Sequence, residues 1–337
     1  MAYTSRPIYL QVPAIHTPEL EEAAKPFLSD WLKKHTLENG EQLFHYTDLN
    51  GLKGILKERG LWISHISTLN DPFELKYGQK LIIQELDNQI VKENEDNIRE
   101  FYNSIKISVG SFGKAMHQTF IACFCESENL LSQWRAYSNN GGGFSIGFEI
   151  NDSSLITFEK TNFEECFKPI LRKIIYKPEE QMRLIKDYIN IVTEGYRKGI
   201  VGKVSGVMNE NYHSAVMGSQ ASNLLLDLIL SIKNPAFSEE KEWRLIHVIL
   251  DHHEPEKLKF RESNYDLIPY KQSYLFDRKD ESNIFPIKSI ILGPSIDQES
   301  QKSAIQLFLN HSSASENEII IDKPGLVNVK SAGYELK

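Results

Sequence analysis

The residues most able to do chemistry lie in Glu240-Lys241-Glu242-Trp243-Arg244, which opens an apolar run after a loop containing Pro235. Read as a strand, the i, i+2 spacing puts Glu240, Glu242 and Arg244 on one face and Lys241, Trp243 and Leu245 on the other. Two carboxylates side by side repel, which raises the pKa of at least one. Such a pair can stabilise a developing cation and position a nucleophile. The same residues also make a plain surface ion-pair ladder with Arg244.

His45-Tyr46-Thr47 ends a second strand-like run just before a helix. A histidine there offers two ring nitrogens close to backbone N–H groups that favour anions, which suits a ribose hydroxyl beside a phosphate. A core histidine satisfied by neighbours is the alternative. In Ser132-Gln133-Trp134-Arg135-Ala136-Tyr137, Trp134 and Tyr137 share a helix face, and the glycines of Asn139–Gly143 follow. An aromatic beside such a hinge can close over a flat ring, or simply pack its helix on a sheet. Asn70-Asp71-Pro72 is turn chemistry, open to a ligand or bonded to its own backbone.

Other signals are weaker. Cys123 and Cys125 face the same way on a strand, but two thiols do not make a zinc site. They read as core residues. Asp251-His252-His253-Glu254 reads as a solvated loop rather than a metal cluster. There is no Walker loop, no HExxH and no CxxC, and the glycines at 141–143 precede a strand, so they are not a dinucleotide fingerprint. A nuclease ranks last for want of a metal cluster, and no metal is expected.

These residues must be held by a folded core, and the composition permits one. The chain has 337 residues, 41% of them apolar, with 17 Phe, 14 Tyr and 4 Trp, which excludes disorder as its main description. A net charge of −8 argues against coating nucleic acid by charge alone. The apolar run at Leu224–Ile232 is interrupted by Asp227 and Ser231, is followed by a lysine, and is too short to span a bilayer. No secretory leader is evident at the start, and three cysteines do not make a disulfide framework, so a cytoplasmic protein with no membrane partner is expected.

Patterning predicts helix over 18–37, strand 43–47, helix 49–59, strand 61–65 and one long polar helix over 78–107. Strands follow at 119–125, 144–150, 171–176 and 241–250, with a short helix at 128–137. Later strands are expected near 258–262, 287–292 and 317–321, with a helix at 297–310. The architecture is α+β. Its expected parts are an N-terminal helical extension (1–40), a core (41–178 and 233–337) and a helical insertion (179–232).

Taken in order, HYT, GILKERGLWIS, LNDPFE, SQWRAYSNNGGGFSIGF, EEKEWRLI and IILGP resemble a bacterial family known as domain of unknown function 2971, over roughly 43–295. That family in turn resembles the ADP-ribosyltransferase fold: a His-bearing strand, a helix ending in glycine, a second strand, and a late strand opening on Glu-x-Glu. The resemblance implies a split, mixed or antiparallel sheet with an inserted helical block. It implies NAD as substrate and a mono-ADP-ribosyltransferase, as in a toxin or antiphage effector.

On that resemblance His45 would hold the adenosine-side ribose, with Tyr46, Thr47, Asn70, Ser132, Trp134 and Arg244 completing the NAD site. Tyr137 (or Tyr46) would stack on nicotinamide, Glu242 would bond the nicotinamide ribose, and Glu240 would orient the acceptor. The partner implied is a macromolecular acceptor, protein or nucleic acid, with an antitoxin or other partner protein in the toxin case. The Ser-Thr-Ser signature of the superfamily is absent, and Ser127 is the nearest stand-in. The competing expectation is a non-enzymatic nucleotide-sensing or protein-interaction module on the same fold.

Overall fold

In the computed structural model, the sheet is organised around β3 (Thr119–Cys125). Its sequence, TFIACFC, is apolar on both faces, as a strand covered on both sides must be. One edge of β3 pairs antiparallel along its length with β6 (Glu242–Val248), from Thr119↔Val248 to Cys125↔Glu242. The other edge is shared. β1 (Leu43–Thr47) meets it at Phe44↔Cys125, and β2 (Gly60–His65) meets it at Ser64↔Ile121 and His65↔Phe120. Ala122, Cys123 and Phe124 therefore have no strand partner on that edge among the described residues. The sheet splits there.

Beyond β1 lie β4 (Phe144–Phe148), β9 (Ile287–Leu292) and β10 (Asn328–Ser331); beyond β2 lie β8 (Leu267–Tyr274) and β7 (Lys259–Glu262). β5 (Ile170–Lys173) pairs with β6. Only β9 and β10 run parallel among these pairs, so the protein is α+β with a mixed, largely antiparallel sheet. The structure describes residues 30–31, 33–38, 40–58, 60–68, 74–115, 119–150, 169–199, 218, 221–222, 225–248, 258–262, 267–274, 286–294, 297–314 and 327–332.

The β1–α1–β2 unit follows the sequence closely. The helix α1 (Leu49–Glu58) is capped by Asp48, whose carboxylate accepts the Gly51 N–H at 2.7 Å. Its Leu52, Ile55 and Leu56 are buried. Gly60 is required at the start of β2, because a Cβ there would sit 1.7 Å from the Ser273 carbonyl oxygen.

The single long helix expected over 78–107 is instead two, α2 (Glu74–Lys92) and α3 (Asp96–Ala115). The Glu93 carboxylate takes the N–H groups of Asn94 and Glu95, at 2.9 and 3.1 Å, and so offers them a partner outside the helix ladder. β8 and β10 were not expected. The expected strand 317–321 lies outside the described residues, as do residues 1–29 of the N-terminal extension and 251–254.

The two larger apolar clusters lie on opposite faces of the sheet, and a smaller one joins Phe44, Tyr46, Cys125, Trp134 and Ile291. α2, α3, α5 (Pro178–Arg197) and the helical residues 225–231 pack together over Ile121, Ile170 and Ile246. The parts of 179–232 that are described thus join α2 and α3 in one helical layer. Leu43, Phe124, Phe148, Leu245 and Ile290 point the other way, toward α1 and α6 (Gln298–Ala314).

A buried ion pair ties the helical layer to the sheet. Arg172 of β5 bonds Asp227 through Nε (2.9 Å) and Nη2 (3.0 Å), and both side chains are 1% exposed. Breaking such a pair leaves a buried charge uncompensated, at a cost of about 3–5 kcal/mol. Asp227→Ala should therefore lower the unfolding free energy by roughly that amount in urea titrations. An Arg172→Met/Asp227→Leu double substitution should recover most of it; equal losses for the single and double variants would contradict this.

Candidate functional site

Glu240 and Glu242 do come together, but not by strand alternation. Glu240 ends a 3-10 helix (Pro235–Glu240), Glu242 starts β6, and Lys241 between them is left-handed, with φ 45°. That turn brings both acids onto one ammonium: Lys233 Nζ lies 2.6 Å from Glu240 Oε2 and 2.9 Å from Glu242 Oε2. Arg244 completes the set, donating from Nε to Glu242 Oε1 at 2.7 Å and from Nη2 to Oε2 at 3.1 Å. Its Nη1 bonds the Leu230 carbonyl.

The expectation that repulsion raises a carboxyl pKa is reversed at Glu242. Burial pushes its carboxyl up, but Arg244 and then Lys233 outweigh that and hold it down to about 2. Glu242 is 5% exposed and Arg244 fully buried, so neither forms a surface ladder. Glu240 is more open, with 18% of its side chain exposed.

Two phenols and a thiol complete this corner. Tyr137, the last residue of α4 (Leu131–Tyr137), is exposed. Partial burial, then Cys123, Glu240 and Glu242, push its phenol pKa far above the ordinary value, so it stays a donor. Tyr176 accepts the Glu242 N–H at 3.2 Å and is raised by burial and by Glu242. Burial, then Glu242, hold the Cys123 thiol well above its usual range, so it is no thiolate nucleophile.

His45 stands differently. The Phe44↔Cys125 register puts Phe44 and Tyr46 on the Cys125 and Glu242 face, and His45 and Thr47 on the reverse face of β1. The imidazole meets Phe124 edge-on at 5.9 Å. Yet its Nδ1 lies 2.9 Å from the Cys123 carbonyl, on the unpartnered stretch of β3, so the ring sits in the split itself. A carbonyl only accepts, so Nδ1 carries the hydrogen and Nε2 presents a lone pair. Burial and nearby Arg261 keep the ring neutral by lowering its pKa.

Strand pairing from β7 through β8, β2 and β3 to β6 puts Arg261 and Ser64 on the same face as Cys123 and Glu242. Arg261 Nη2 donates to Ser64 Oγ at 3.1 Å. Arg261, Ser64, Cys123 and Glu240 are half-buried and Tyr137 is exposed, whereas Ile121, Ile246 and Arg244 on the same face are buried.

Other expected ligand contacts hold the fold. Tyr46 is buried: its hydroxyl donates to the Ser127 carbonyl and accepts the Leu130 N–H, both at 2.8 Å. Trp134 is fully buried, packs edge-on to Tyr46 at 4.9 Å and bonds Asn129, so no face of its ring is open for stacking. Among the described residues the buried Ser132 hydroxyl has no hydrogen-bond partner, and Thr47 ends β1 beside Gly51. Asn70 lies outside the described residues. Sequence reading missed Lys233, Tyr176 and Arg261. For Lys233 the one signal was its place, directly after the apolar run ending at Ile232.

Chemically, the corner offers two carboxylates on one ammonium and phenol donors, and the split offers a neutral imidazole and a guanidinium, a set suited to a hydroxylated anion. No group of three or more His, Cys, Asp or Glu that could hold a metal occurs among the described residues. No described helix is long and apolar enough to cross a membrane.

Residues 133–245 match the family described as "Protein of unknown function (DUF2971)". That stretch runs from α4 into β6 and contains Tyr137, Tyr176, Lys233, Glu240, Glu242 and Arg244; His45 and Arg261 fall outside it. No curated protein and no solved structure matches the chain.

The depressed carboxyl has a pH consequence. The folded value, about 2, lies below the ordinary 4.5, so Glu242 contributes stability that is present above about pH 4.5 and lost as pH falls toward 2. Denaturation midpoints measured from pH 6 to pH 2.5 should fall steeply for the wild type and less steeply for Glu242→Gln. Parallel curves would contradict the buried clamp.

Proposed function

We propose that this chain, a DUF2971-family protein over residues 133–245, transfers one ADP-ribose from NAD to a macromolecular acceptor. The observation that carries the reading is the row of half-buried side chains Arg261, Ser64 and Cys123 on one sheet face, with exposed Tyr137 of α4 near Cys123, half-buried Glu240 of the 3-10 helix near Tyr137, and His45 in the split. A split sheet of this kind is what the ADP-ribosyltransferase resemblance implies. Tyr137 lies in the field of Glu240 and Glu242, and His45 bonds the carbonyl of Cys123, whose thiol lies in the field of Glu242.

In this reading nicotinamide leaves the anomeric carbon with the bonding pair, and the ribose carries oxocarbenium-like charge. Glu242, held ionised by Arg244 and Lys233, and Glu240 beside it offer carboxylate oxygens to this charge from an ion cluster that is neutral as a whole. Glu240 is the more open acid and so the one to approach the sugar and the incoming acceptor. Tyr137 offers an exposed ring for nicotinamide. His45 Nε2 accepts from a ribose hydroxyl.

A second reading has its own support. Both Glu242 oxygens are already engaged by Arg244 and Lys233, as in an acid kept for structure, which fits a non-enzymatic nucleotide-sensing or protein-interaction module.

Labelled NAD incubated with the protein and cell lysate separates them. Transfer predicts released nicotinamide and labelled macromolecule, with a loss of about 10²–10³-fold in Glu240→Gln. A rise in melting temperature with NAD or ADP-ribose, without nicotinamide release or labelling, would overturn transfer in favour of the module.

A further inference from the structure

Arg172, Arg244 and Arg261 all reach into the sheet, and two of them are neutralised there. Arg172 bonds Asp227 and Arg244 bonds Glu242. Arg261 is the exception. Its hydrogen bond goes to the neutral Ser64 hydroxyl, and among the described residues its buried Nε has no hydrogen-bond partner and it makes no ion pair. Asp48, whose field it feels, caps α1 and makes no direct ion pair with it among the described residues. Tyr270, also near, carries a hydroxyl raised by burial and so adds no negative charge. A half-buried guanidinium without an anion is a costly arrangement, unless an anion arrives from outside.

What lies beside it defines that anion's carrier. His45 in the split shows a lone pair on Nε2, which accepts only from a donor such as a hydroxyl. Arg261 reaches the split through Ser64, whose partner Ile121 adjoins the unpartnered stretch of β3 that His45 bonds. A guanidinium asking for an anion and an imidazole asking for a hydroxyl, both bordering one split, describe a phosphorylated sugar. We propose that Arg261 binds the phosphate of a phosphorylated sugar seated at the split between β1 and β2, beside His45. This deepens the transfer reading, on which it rests for the ligand's biological role, by naming the residue that holds the donor's phosphate. The binding claim itself does not require turnover.

The test is calorimetric titration of the full chain with ADP-ribose, ribose 5-phosphate and adenosine. The expected result is that the wild type binds the two phosphorylated sugars more tightly than adenosine, with affinity falling as salt rises. Arg261→Met should weaken ADP-ribose tenfold or more and leave adenosine unchanged, and Arg261→Lys should recover part of the loss. If Arg261→Met fails to fold, the wild-type salt dependence and the lysine variant carry the decision. Equal binding of ADP-ribose and adenosine, salt-independent binding, no binding of either phosphorylated sugar, or an unaltered Arg261→Met or Arg261→Lys with no salt effect would overturn the proposal. Arg261-dependent binding without nicotinamide release would uphold it and sink the transfer reading alone.

Discussion

Lys233 bonded to two carboxylates is the interaction on which the candidate site depends. The lysine follows the buried helical residues 225–231 and the acids sit at the entry to β6, so one ammonium pins the helical layer to the sheet. Arg244 repeats the tie from the strand side, reaching Glu242 and the Leu230 carbonyl. Removing two cations and two acids from water costs several kcal/mol each, and only mutual neutralisation makes this tolerable. The left-handed Lys241 belongs to the same arrangement, since it turns the chain so that both acids meet one partner.

The second constraint is the shared edge of β3. β1 and β2 cannot both pair with it over the same residues, so each takes one end and the middle is left to His45. Cys123 occupies that middle. Its carbonyl takes the imidazole on one side, and its thiol lies in the field of Glu242 on the other. Two groups far apart in sequence thus meet the same residue of one strand.

Local patterns made much of this fold legible. LFHYT, LNGLKGILKE and TFIACFC have the periodicity and caps that decide their structure from within, and they form the elements expected. The helix break at Glu93 was hidden because it depends on a side chain bonding its own backbone. β8 (LIPYKQSY) carries a proline and a lysine that weaken its apolar alternation, and it is held by pairing with β2. At the site, residue types were readable but partners were not. Glu240 and Glu242 stood out as a pair, whereas Lys233, which makes them one, is brought back to them by the 3-10 helix and the left-handed Lys241 that lie between, a turn no periodicity announces. Tyr46 and Trp134 have the types of a ring-binding site, yet they bury against each other. Which way His45 faces is set by the register of β1 against β3 and β4, strands far along the chain from it.

The central claim is that the acid corner and the split serve one ligand. A crystal structure with a non-hydrolysable NAD analogue tests it most directly. The account predicts the nicotinamide ribose within hydrogen-bonding distance of Glu240 or Glu242, Tyr137 against the nicotinamide ring, and the remaining ribose at His45. An analogue bound elsewhere, or no density at saturating concentration with the Lys233 clamp intact, would contradict it.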